Sequence, residues 1–436
     1  MQKILYLAAL TLLLTRSAGA QQQATPITTD IKNFWNAYDK ITTTKDSLRQ
    51  YQYLNTLFIE KGTPGLKAMM KARSYTPKSY IDAINAYPRF WNSIRANTLR
   101  ADRYKSEISS NLRQLKKLYP ELQPAQIYFT IGALKSGGTT QGKMILIGSE
   151  LALAGPNTVT DELPPTYTHL RSFFDSNPSK TIAFTNVHEY VHTQQLTTQT
   201  DNLLAQCVLE GVAEFVAVKA TGQPSSAPAM TYGRANPEKV REKFETQLFN
   251  PGNGFWLYSD AANEFGTRDL GYYVGYTICE MYYDKAPDKK AAIRQMIGLN
   301  YADTTDLAGF VDASGYFKEP VQRLKEQYES NRPTVISLQP FKNGSDSVSP
   351  TQQQITIGFS VTMDKEYRNF ELGPLGKDNL LKIKKIIGFS DDGRFFTFET
   401  ELFPNRHYQL EIGKGFRSLD GARLKPYLID FRTAGQ

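Results

Sequence analysis

Two histidines and a glutamate at residues 188–192 form the pattern with the clearest chemical meaning. The segment reads His-Glu-Tyr-Val-His, in a chain of 436 residues that has 4 histidines in all. On a helix, positions i and i+4 share a face, so the imidazoles of His188 and His192 can bind one Zn²⁺ at about 2.0–2.1 Å. Glu189 then lies beside the metal, where it can take a proton from a zinc-bound water. The motif therefore predicts a hydrolytic zinc site.

A nearly continuous apolar segment, residues 203–218, offers the missing third ligand. Its composition predicts a buried helix, yet it contains Glu210 and Glu214 one turn apart. A buried ionised carboxylate is costly unless it is paired or bound to a metal, and a His₂Glu set with an open fourth position is a catalytic arrangement. We therefore predict Glu210 as the third ligand and Glu214 as the acceptor that orients a ligand histidine. The alternative is that either glutamate pairs with a buried arginine.

The elements that must position these side chains are two consecutive helices. Apolar residues recur at helical spacing in residues 181–195, and His188 and His192 share the neighbouring face. A polar stretch follows, and Asp201 is predicted to be the N-cap of the second helix. Another helix is predicted to begin at Gly271, farther along the chain.

The rest of the chain predicts a mixture of helices and strands. Residues 29–118 have helical periodicity, with a break near Pro88. Residues 126–132 and 143–148 are predicted to be two strands joined by a glycine-containing loop, as in a β-hairpin. After a charged helix at 318–330, short strands follow at regular spacing, which predicts a β-sandwich. The predicted strands are residues 334–338, 355–360, 395–398, 408–412 and 428–431.

Residues 1–20 have the pattern of a secretory signal peptide. Lys3 precedes an apolar run at 4–14, and Ala-Gly-Ala at 18–20 forms a small-residue cleavage site. The run is shorter than a membrane span requires, and no transmembrane segment is predicted elsewhere. We therefore expect export by a cleaved signal peptide to the periplasm or the extracellular space.

Composition and charge argue against a nucleic-acid partner. The net charge is +8 and the isoelectric point is near 9.1, but the basic residues are scattered and do not form long blocks. A solvated basic surface explains this pattern. The 2 cysteines, Cys207 and Cys279, both lie in apolar stretches, and either one disulfide or two buried thiols fits them.

A family resemblance rests on the motif at 188–192 together with Glu-Gly-Val-Ala-Glu-Phe at 210–215. The pair resembles the gluzincin zinc peptidases, the clan of thermolysin-like enzymes, and in particular secreted bacterial zinc proteases of that clan. Residues 193–209, 17 in number, separate the two motifs, one fewer than is usual in the clan. The chain lacks a GxMEN motif, which argues against a true aminopeptidase. The resemblance covers about residues 120–290.

A second resemblance concerns residues 333–436, where several phrases are similar to bacterial Ig-like domains. They are Phe-Ser-Val-Thr-Met-Asp at 359–364, Leu-Phe-Pro-Asn at 402–405 and Asp-Gly-Ala-Arg-Leu at 420–424. Such a domain implies possible contact with a cell surface or a glycan.

Together the resemblances imply an α+β protein, with a mostly helical thermolysin-like zincin domain that has a small mixed or antiparallel sheet and an Ig-like all-β sandwich after it. The implied organisation is a signal peptide at 1–20, a helical region at 21–119, the peptidase domain at 120–332 and the sandwich at 333–436. The strand at 145–148 resembles the edge strand that pairs with substrate backbone in this clan.

The clan also implies a hydrogen-bond donor for the oxyanion of the reaction, and the candidates are Tyr272 and Tyr276, which lie four residues apart. Packing in a core helix is the alternative explanation for both tyrosines. The resulting hypothesis is a secreted zinc metallopeptidase, a hydrolase that acts on peptides or proteins. The rival hypothesis is a non-enzymatic protein of the cell envelope that binds or forms a scaffold on a zincin-like fold.

Overall fold

The computed structural model describes residues 25–196, 202–259 and 262–435. The chain forms two compact units: Met1–Lys116 with Glu121–Asn186, and Lys117–Pro120 with Val187–Gln436. Both contain helices and small sheets, so the expected α+β class is confirmed at this level. The signal peptide predicted at residues 1–20 lies outside the described residues, and the predicted domain boundaries at 119/120 and 332/333 stay predictions. Within the described ranges, no helix combines the length and apolar character needed to cross a membrane.

Six α-helices lie in the region where helical periodicity predicted them, all in the first unit except for the last two residues of the sixth. They are α1 Thr29–Ile41, α2 Ser47–Leu54, α3 Pro64–Ala72, α4 Pro77–Ala86, α5 Pro88–Leu99 and α6 Lys105–Leu118. Three of these helices start at a proline, which suits the first helical turn because its N–H has no partner there. The buried faces of α1 and α5 contain aromatic residues, and Phe34, Trp35 and Trp91 pack against one another.

A three-stranded sheet follows in the same unit, made of β1 Gln126–Thr130, β2 Gly138–Gln141 and β3 Met144–Gly148. The strand order is β1-β3-β2, and β1 pairs with β3 in parallel. The predicted hairpin between these two strands is therefore wrong. The hairpin joins β2 to β3 instead, through Gly142 in a left-handed conformation with φ of +57°. The polar sequence of β2 hid this strand from the hydrophobic pattern.

Three helices complete this part of the chain: α7 Ser149–Ala152, α8 His169–Asp175 and α9 Ile182–His192. The boundary between the units falls inside α9, after Asn186, so the histidine motif belongs to the second unit. Helix α9 ends at His192, three residues before the predicted end.

The second unit is built around α10 Leu203–Thr221, whose residues are buried on nearly every side. A helix that is apolar all round is stable when it lies inside a protein. The side chain of Asn202 caps α10 by accepting the N–H of Ala205 at 2.8 Å, while Asp201, the predicted N-cap, lies outside the described residues. Gly222, with φ of +69°, ends the helix in the left-handed conformation that favours glycine.

Six more α-helices follow α10 in the described part of the chain. They are α11 Pro228–Ala235, α12 Pro237–Glu245, α13 Leu270–Lys285, α14 Lys289–Ile297, α15 Thr304–Ser314 and α16 Val321–Asn331. Helices α10 and α13 touch through glycines, because a Cβ on Gly211 would overlap the backbone of Gly275, and the reverse substitution would overlap the carbonyl of Cys207. Cys207 and Cys279 are both free and buried, so the thiol alternative holds for them in this structure.

The C-terminal strands form two sheets. They are β4 Val335–Gln339, β5 Gln354–Phe359, β6 Phe370–Glu371, β7 Ile383–Phe389, β8 Phe395–Thr400, β9 His407–Ile412 and β10 Tyr427–Arg432. The sheet orders are β4-β5-β8-β7 and β10-β9-β6, and the two sheets share one hydrophobic core. The sequence predicted five of these strands but not β6 or β7. Most of β7 is exposed, so it lacks the alternating burial that marks a strand.

Polar contacts join the helical and β parts of the second unit. The amide of Asn250 donates to the carbonyl oxygen of Asp420 at 2.6 Å. The guanidinium of Arg332 donates to the carbonyl oxygens of Arg423 and Leu424 at 2.9 and 2.7 Å. The β region is therefore packed against the helices and not separated from them by an extended linker.

Candidate metal centre

Three side chains from two helices converge in the second unit. Helix α9 provides His188 and His192, and α10 provides Glu210. The Nε2 atoms of His188 and His192 are 3.1 Å apart, and each lies 3.3 Å from Oε2 of Glu210. The side chains are nearly buried, with exposed fractions of 10%, 13% and 8% in that order. The three residues predicted as ligands thus lie together.

The triangle of these three atoms has the size that a tetrahedral metal site requires. Zinc bonds of about 2.0–2.1 Å in tetrahedral geometry place neighbouring ligand atoms about 3.3–3.4 Å apart. The observed edges of 3.1 and 3.3 Å are close to this value. Two imidazole nitrogens and one carboxylate oxygen are also a donor set that suits zinc. The residues present therefore fit such an ion.

The electrostatics of the cluster favour charge in its centre. Burial by itself would raise the pKa of Glu210, but the two imidazoles outweigh it and hold that pKa well below its ordinary value. Burial would lower the pKa of His188, but Glu210 and Glu214 outweigh it and raise that pKa well above its ordinary value. Positive charge beside the buried carboxylates is thus favoured. A bound cation would supply that charge, and metal binding displaces protons from its ligands.

The second ring nitrogen of His188 has a carboxylate partner. Its Nδ1 lies 2.8 Å from Oε2 of Glu214, which is buried one turn beyond Glu210 on α10. Ser225 Oγ donates to the other oxygen of Glu214. Glu214 therefore lies where the sequence placed it, and it can hold the His188 ring in one orientation.

The second ring nitrogen of His192 has an amide partner that the sequence pattern did not predict. Its Nδ1 lies 2.7 Å from Oε1 of Gln195, in the turn that follows α9. Gln195 is 5% exposed. Its position three residues after His192 is the signal that could have identified it, since a helix-terminal turn brings such residues together.

The remaining oxygen of Glu210 also has a partner that the sequence pattern did not predict. The hydroxyl of Tyr258 donates to Oε1 of Glu210. Tyr258 has a left-handed backbone with φ of +60°, and its N–H donates to Oδ1 of Asp269 at 2.7 Å. No periodic pattern marks Tyr258, because it lies in the irregular segment between α12 and α13.

The two tyrosines predicted to assist catalysis lie in different surroundings. The ring of Tyr272 lies 6.1 Å from that of His188 and 6.4 Å from that of Tyr258, so the structure brings it to the cluster. The hydroxyl of Tyr276 instead lies 3.2 Å from Oε1 of Glu280, and its ring packs against Phe215. Tyr276 thus has the surroundings of a packed core residue.

Glu189, the predicted general base, is half-buried, and its charge acts on the cluster. Burial would lower the pKa of His192, but Glu210 outweighs it, and Glu189 adds to the rise. Burial above all, together with Glu210, raises the pKa of the Tyr258 hydroxyl, and Glu189 contributes again. These effects place the Glu189 carboxylate within electrostatic reach of both groups.

Comparison with known proteins gives little further guidance. No protein-family model and no curated protein matches the chain. Among solved structures, the crystal structure of the S-layer protein rSbsC(31-844) matches with 13% sequence identity over 76% of this chain. The match covers 45% of that chain, less than half of its length, and has a TM-score of 0.18. At this TM-score the likeness carries no argument about fold or function.

Proposed function

We propose that the protein is a zinc-dependent metallopeptidase. The observation that carries the proposal is the triangle formed by Nε2 of His188, Nε2 of His192 and Oε2 of Glu210, with edges of 3.1 and 3.3 Å. The other polar atom of each of these side chains has its own partner, in Glu214, Gln195 or Tyr258. A set of three ligands held in this way is typical of a preformed site.

The chain's own groups can move the protons that hydrolysis requires. Zinc in a His₂Glu set supplies Lewis acidity, which polarises a carbonyl group and lowers the pKa of water. Glu189 follows His188 directly on α9 and acts as the base that takes the proton of the attacking water. The same carboxyl then returns the proton to the leaving amine. General acid–base catalysis of this kind contributes typically about 10²–10⁴-fold to the rate.

One phenol beside the cluster is available to stabilise the carbonyl oxygen as it becomes negative. Burial does most to raise the pKa of Tyr272, so its hydroxyl stays protonated at neutral pH. A donated hydrogen bond to the developing oxyanion lowers the barrier because the charge appears in a site with little water. Tyr272 is therefore the proposed oxyanion donor, in place of Tyr276, while the one proton of the Tyr258 hydroxyl is donated to Glu210.

The finer organisation of the chain belongs to the same proposal. We infer that the helices around α9 and α10 form a gluzincin-like catalytic domain. The support for this inference is that the two helices that provide the proposed ligands follow one another in the chain. We infer an Ig-like sandwich after residue 333, supported by the two sheets that share a core. The apolar run at 4–14 supports export to the periplasm or beyond, where peptides or proteins would be the substrates.

The test is the zinc content and peptidase activity of the chain from residue 21 onward, beside a Glu189→Gln variant. The variant removes the base but no ligand, so we expect about one zinc per chain and a loss of hydrolysis of about 10²–10⁴-fold. A mixture of fluorogenic peptides serves as the substrate. Glu326→Gln, an exposed substitution of the same type on α16, is the matched control and should keep full activity.

Two results would contradict the proposal. A Glu189→Gln variant that cleaves peptide as fast as the wild type would remove the base from the mechanism, and a wild type that binds no zinc after reconstitution would remove the metal centre. A wild type that binds zinc but cleaves no peptide would favour the non-enzymatic envelope protein instead.

A further inference from the structure

We propose that Gln195 is a positioning residue that fixes the tautomer of His192 and thereby sets the affinity of the metal centre. The inference rests on the proposed zinc site. It follows from the directions of four hydrogen bonds. Each direction can be deduced because a backbone carbonyl oxygen only accepts and a hydroxyl has one proton to donate.

The orientation of the Gln195 amide is fixed by a backbone carbonyl. The Nε2 atom of Gln195 lies 2.9 Å from the carbonyl oxygen of Leu209. A carbonyl oxygen accepts hydrogen bonds and cannot donate, so the amide must present its NH₂ group to Leu209. The amide oxygen Oε1 then faces the other way, toward Nδ1 of His192 at 2.7 Å.

A buried tyrosine gives the same orientation independently. The hydroxyl of Tyr301 donates its one proton to the carbonyl oxygen of Met296 at 2.9 Å. That hydroxyl must therefore accept from Gln195, whose Nε2 lies 2.8 Å away. Tyr301 is fully buried, so turning the amide over would leave buried polar groups without partners, which is unfavourable.

The consequence is a defined tautomer of His192. Because Oε1 of Gln195 is an acceptor, Nδ1 of His192 must carry the proton that lies between them. In the neutral ring, Nε2 of His192 is then unprotonated, and this is the atom that lies 3.3 Å from Oε2 of Glu210. The lone pair that a metal requires is thus presented to the centre of the ligand triangle.

The same amide links the elements that provide the ligands. Gln195 follows α9, Leu209 directly precedes the ligand Glu210 on α10, and Met296 lies near the end of α14. One side chain thereby fixes the position of the His192 ring relative to the backbone beside Glu210. This explains why a neutral amide is buried at the metal centre, where it would be costly without its three partners.

The test compares three variants by their zinc affinity, measured by competition with a chromophoric chelator. Gln195→Met keeps the length of the side chain but removes the acceptor for His192, and we expect zinc affinity to fall about 10- to 100-fold. Gln195→Glu keeps an acceptor at His192 but removes the donors to Leu209 and Tyr301. It should destabilise the fold as Gln195→Met does while keeping a zinc affinity at or above that of the wild type, because the added negative charge also favours the metal. Gln194→Met, the same change one residue earlier, is the matched control.

The spectrum of the Co²⁺-substituted protein gives a second readout that does not depend on activity. We expect the visible bands of the wild type and the Glu variant to agree and those of the Met variant to differ, because the His192 ring loses its fixed orientation. Equal losses of zinc affinity in the Met and Glu variants would show a merely structural role and overturn the inference, as would no loss in either. A wild type that binds no zinc would instead overturn the proposed function, and the inference with it.

Discussion

Two buried glutamates in different parts of the molecule have pKa values that are shifted in opposite directions. Glu150 in the first unit is fully buried and accepts the N–H groups of Gly132 and Leu134 at 2.9 and 3.3 Å. Burial outweighs these hydrogen bonds and raises the pKa of Glu150 to about 7. Glu210 in the second unit is 6% exposed, yet its pKa lies well below the ordinary value because two imidazoles outweigh burial.

The comparison shows that burial alone does not identify a metal ligand. Burial favours the neutral carboxyl in both places, and the groups nearby decide the outcome. At Glu150, backbone N–H dipoles offset part of the effect of burial on the pKa, and the carboxyl orders a loop that includes Leu134 at a φ of +67°. At Glu210, imidazoles that can carry a proton or share a metal offset the effect of burial fully. Glu150 thus has the surroundings of a structural carboxyl, whereas Glu210 has those of the metal ligand that we propose.

The largest expected effect is the loss of zinc in Glu210→Gln. This substitution keeps the size of the side chain but removes the anionic ligand, so we expect zinc affinity to fall by more than about 100-fold, the upper range for the loss of a supporting partner. Glu150→Gln is the matched control, and it should keep one zinc per chain. Elemental analysis after dialysis measures the zinc content of both variants. Loss of zinc in the Glu150 variant would contradict the distinction between the two glutamates.

The next effect is a pH dependence of stability that belongs to Glu150. A pKa raised from 4.5 to about 7 means that the folded protein holds this proton more tightly than the unfolded chain does. The contribution to stability is complete below pH 4.5 and is lost as the pH rises through 7, by up to about 3 kcal/mol. Glu150→Gln should be less stable than the wild type at pH 4.5, with the gap closing by pH 8.

Urea unfolding of the two proteins, followed by circular dichroism at both pH values, measures this gap. Taking the difference between wild type and variant cancels the titration of the histidines, which both proteins share. Parallel stability curves between pH 4.5 and 8 would show that the Glu150 carboxyl does not have the raised pKa.

The convergence of His188, His192 and Glu210 could be predicted because each constraint is local. Spacing of four residues on one helix places two imidazoles on one face, and an acidic residue in an apolar helix requires a buried partner. Gln195 and Tyr258 escaped prediction because their contacts depend on a turn and on an irregular segment, where side-chain directions do not follow a period.

The fold shows the same division between local and long-range constraints. The helices of residues 29–118 follow from their periodicity, and five C-terminal strands follow from theirs. The pairing of β1 with β3 did not follow, because a parallel pair requires a connection whose path the sequence does not indicate. Here the connection includes the polar strand β2, which pairs on the other side of β3.

A smaller effect is expected at the carboxylate that supports His188. Glu214→Gln keeps an oxygen that can accept from Nδ1 of His188 but removes the negative charge, so we expect zinc affinity to fall about 10- to 100-fold. Chelator competition measures the change. An unchanged affinity would show that a neutral acceptor serves His188 as well as it serves His192 through Gln195, and the two halves of the site would then be equivalent.

The smallest effect on zinc affinity is expected for Ser225→Ala, because Ser225 lies one hydrogen bond farther from the ligands than Glu214 does. The hydroxyl of Ser225 donates to Glu214, and its loss leaves the carboxylate with its charge and its bond to His188. A hydrogen bond worth about 1 kcal/mol corresponds to about a fivefold weaker zinc affinity. The graded series from Glu210 through Glu214 to Ser225 tests whether influence on the metal falls with each step from the ligands. A Ser225→Ala loss as large as that of Glu214→Gln would mean that the serine fixes the position of the carboxylate, and that charge contributes less than orientation does.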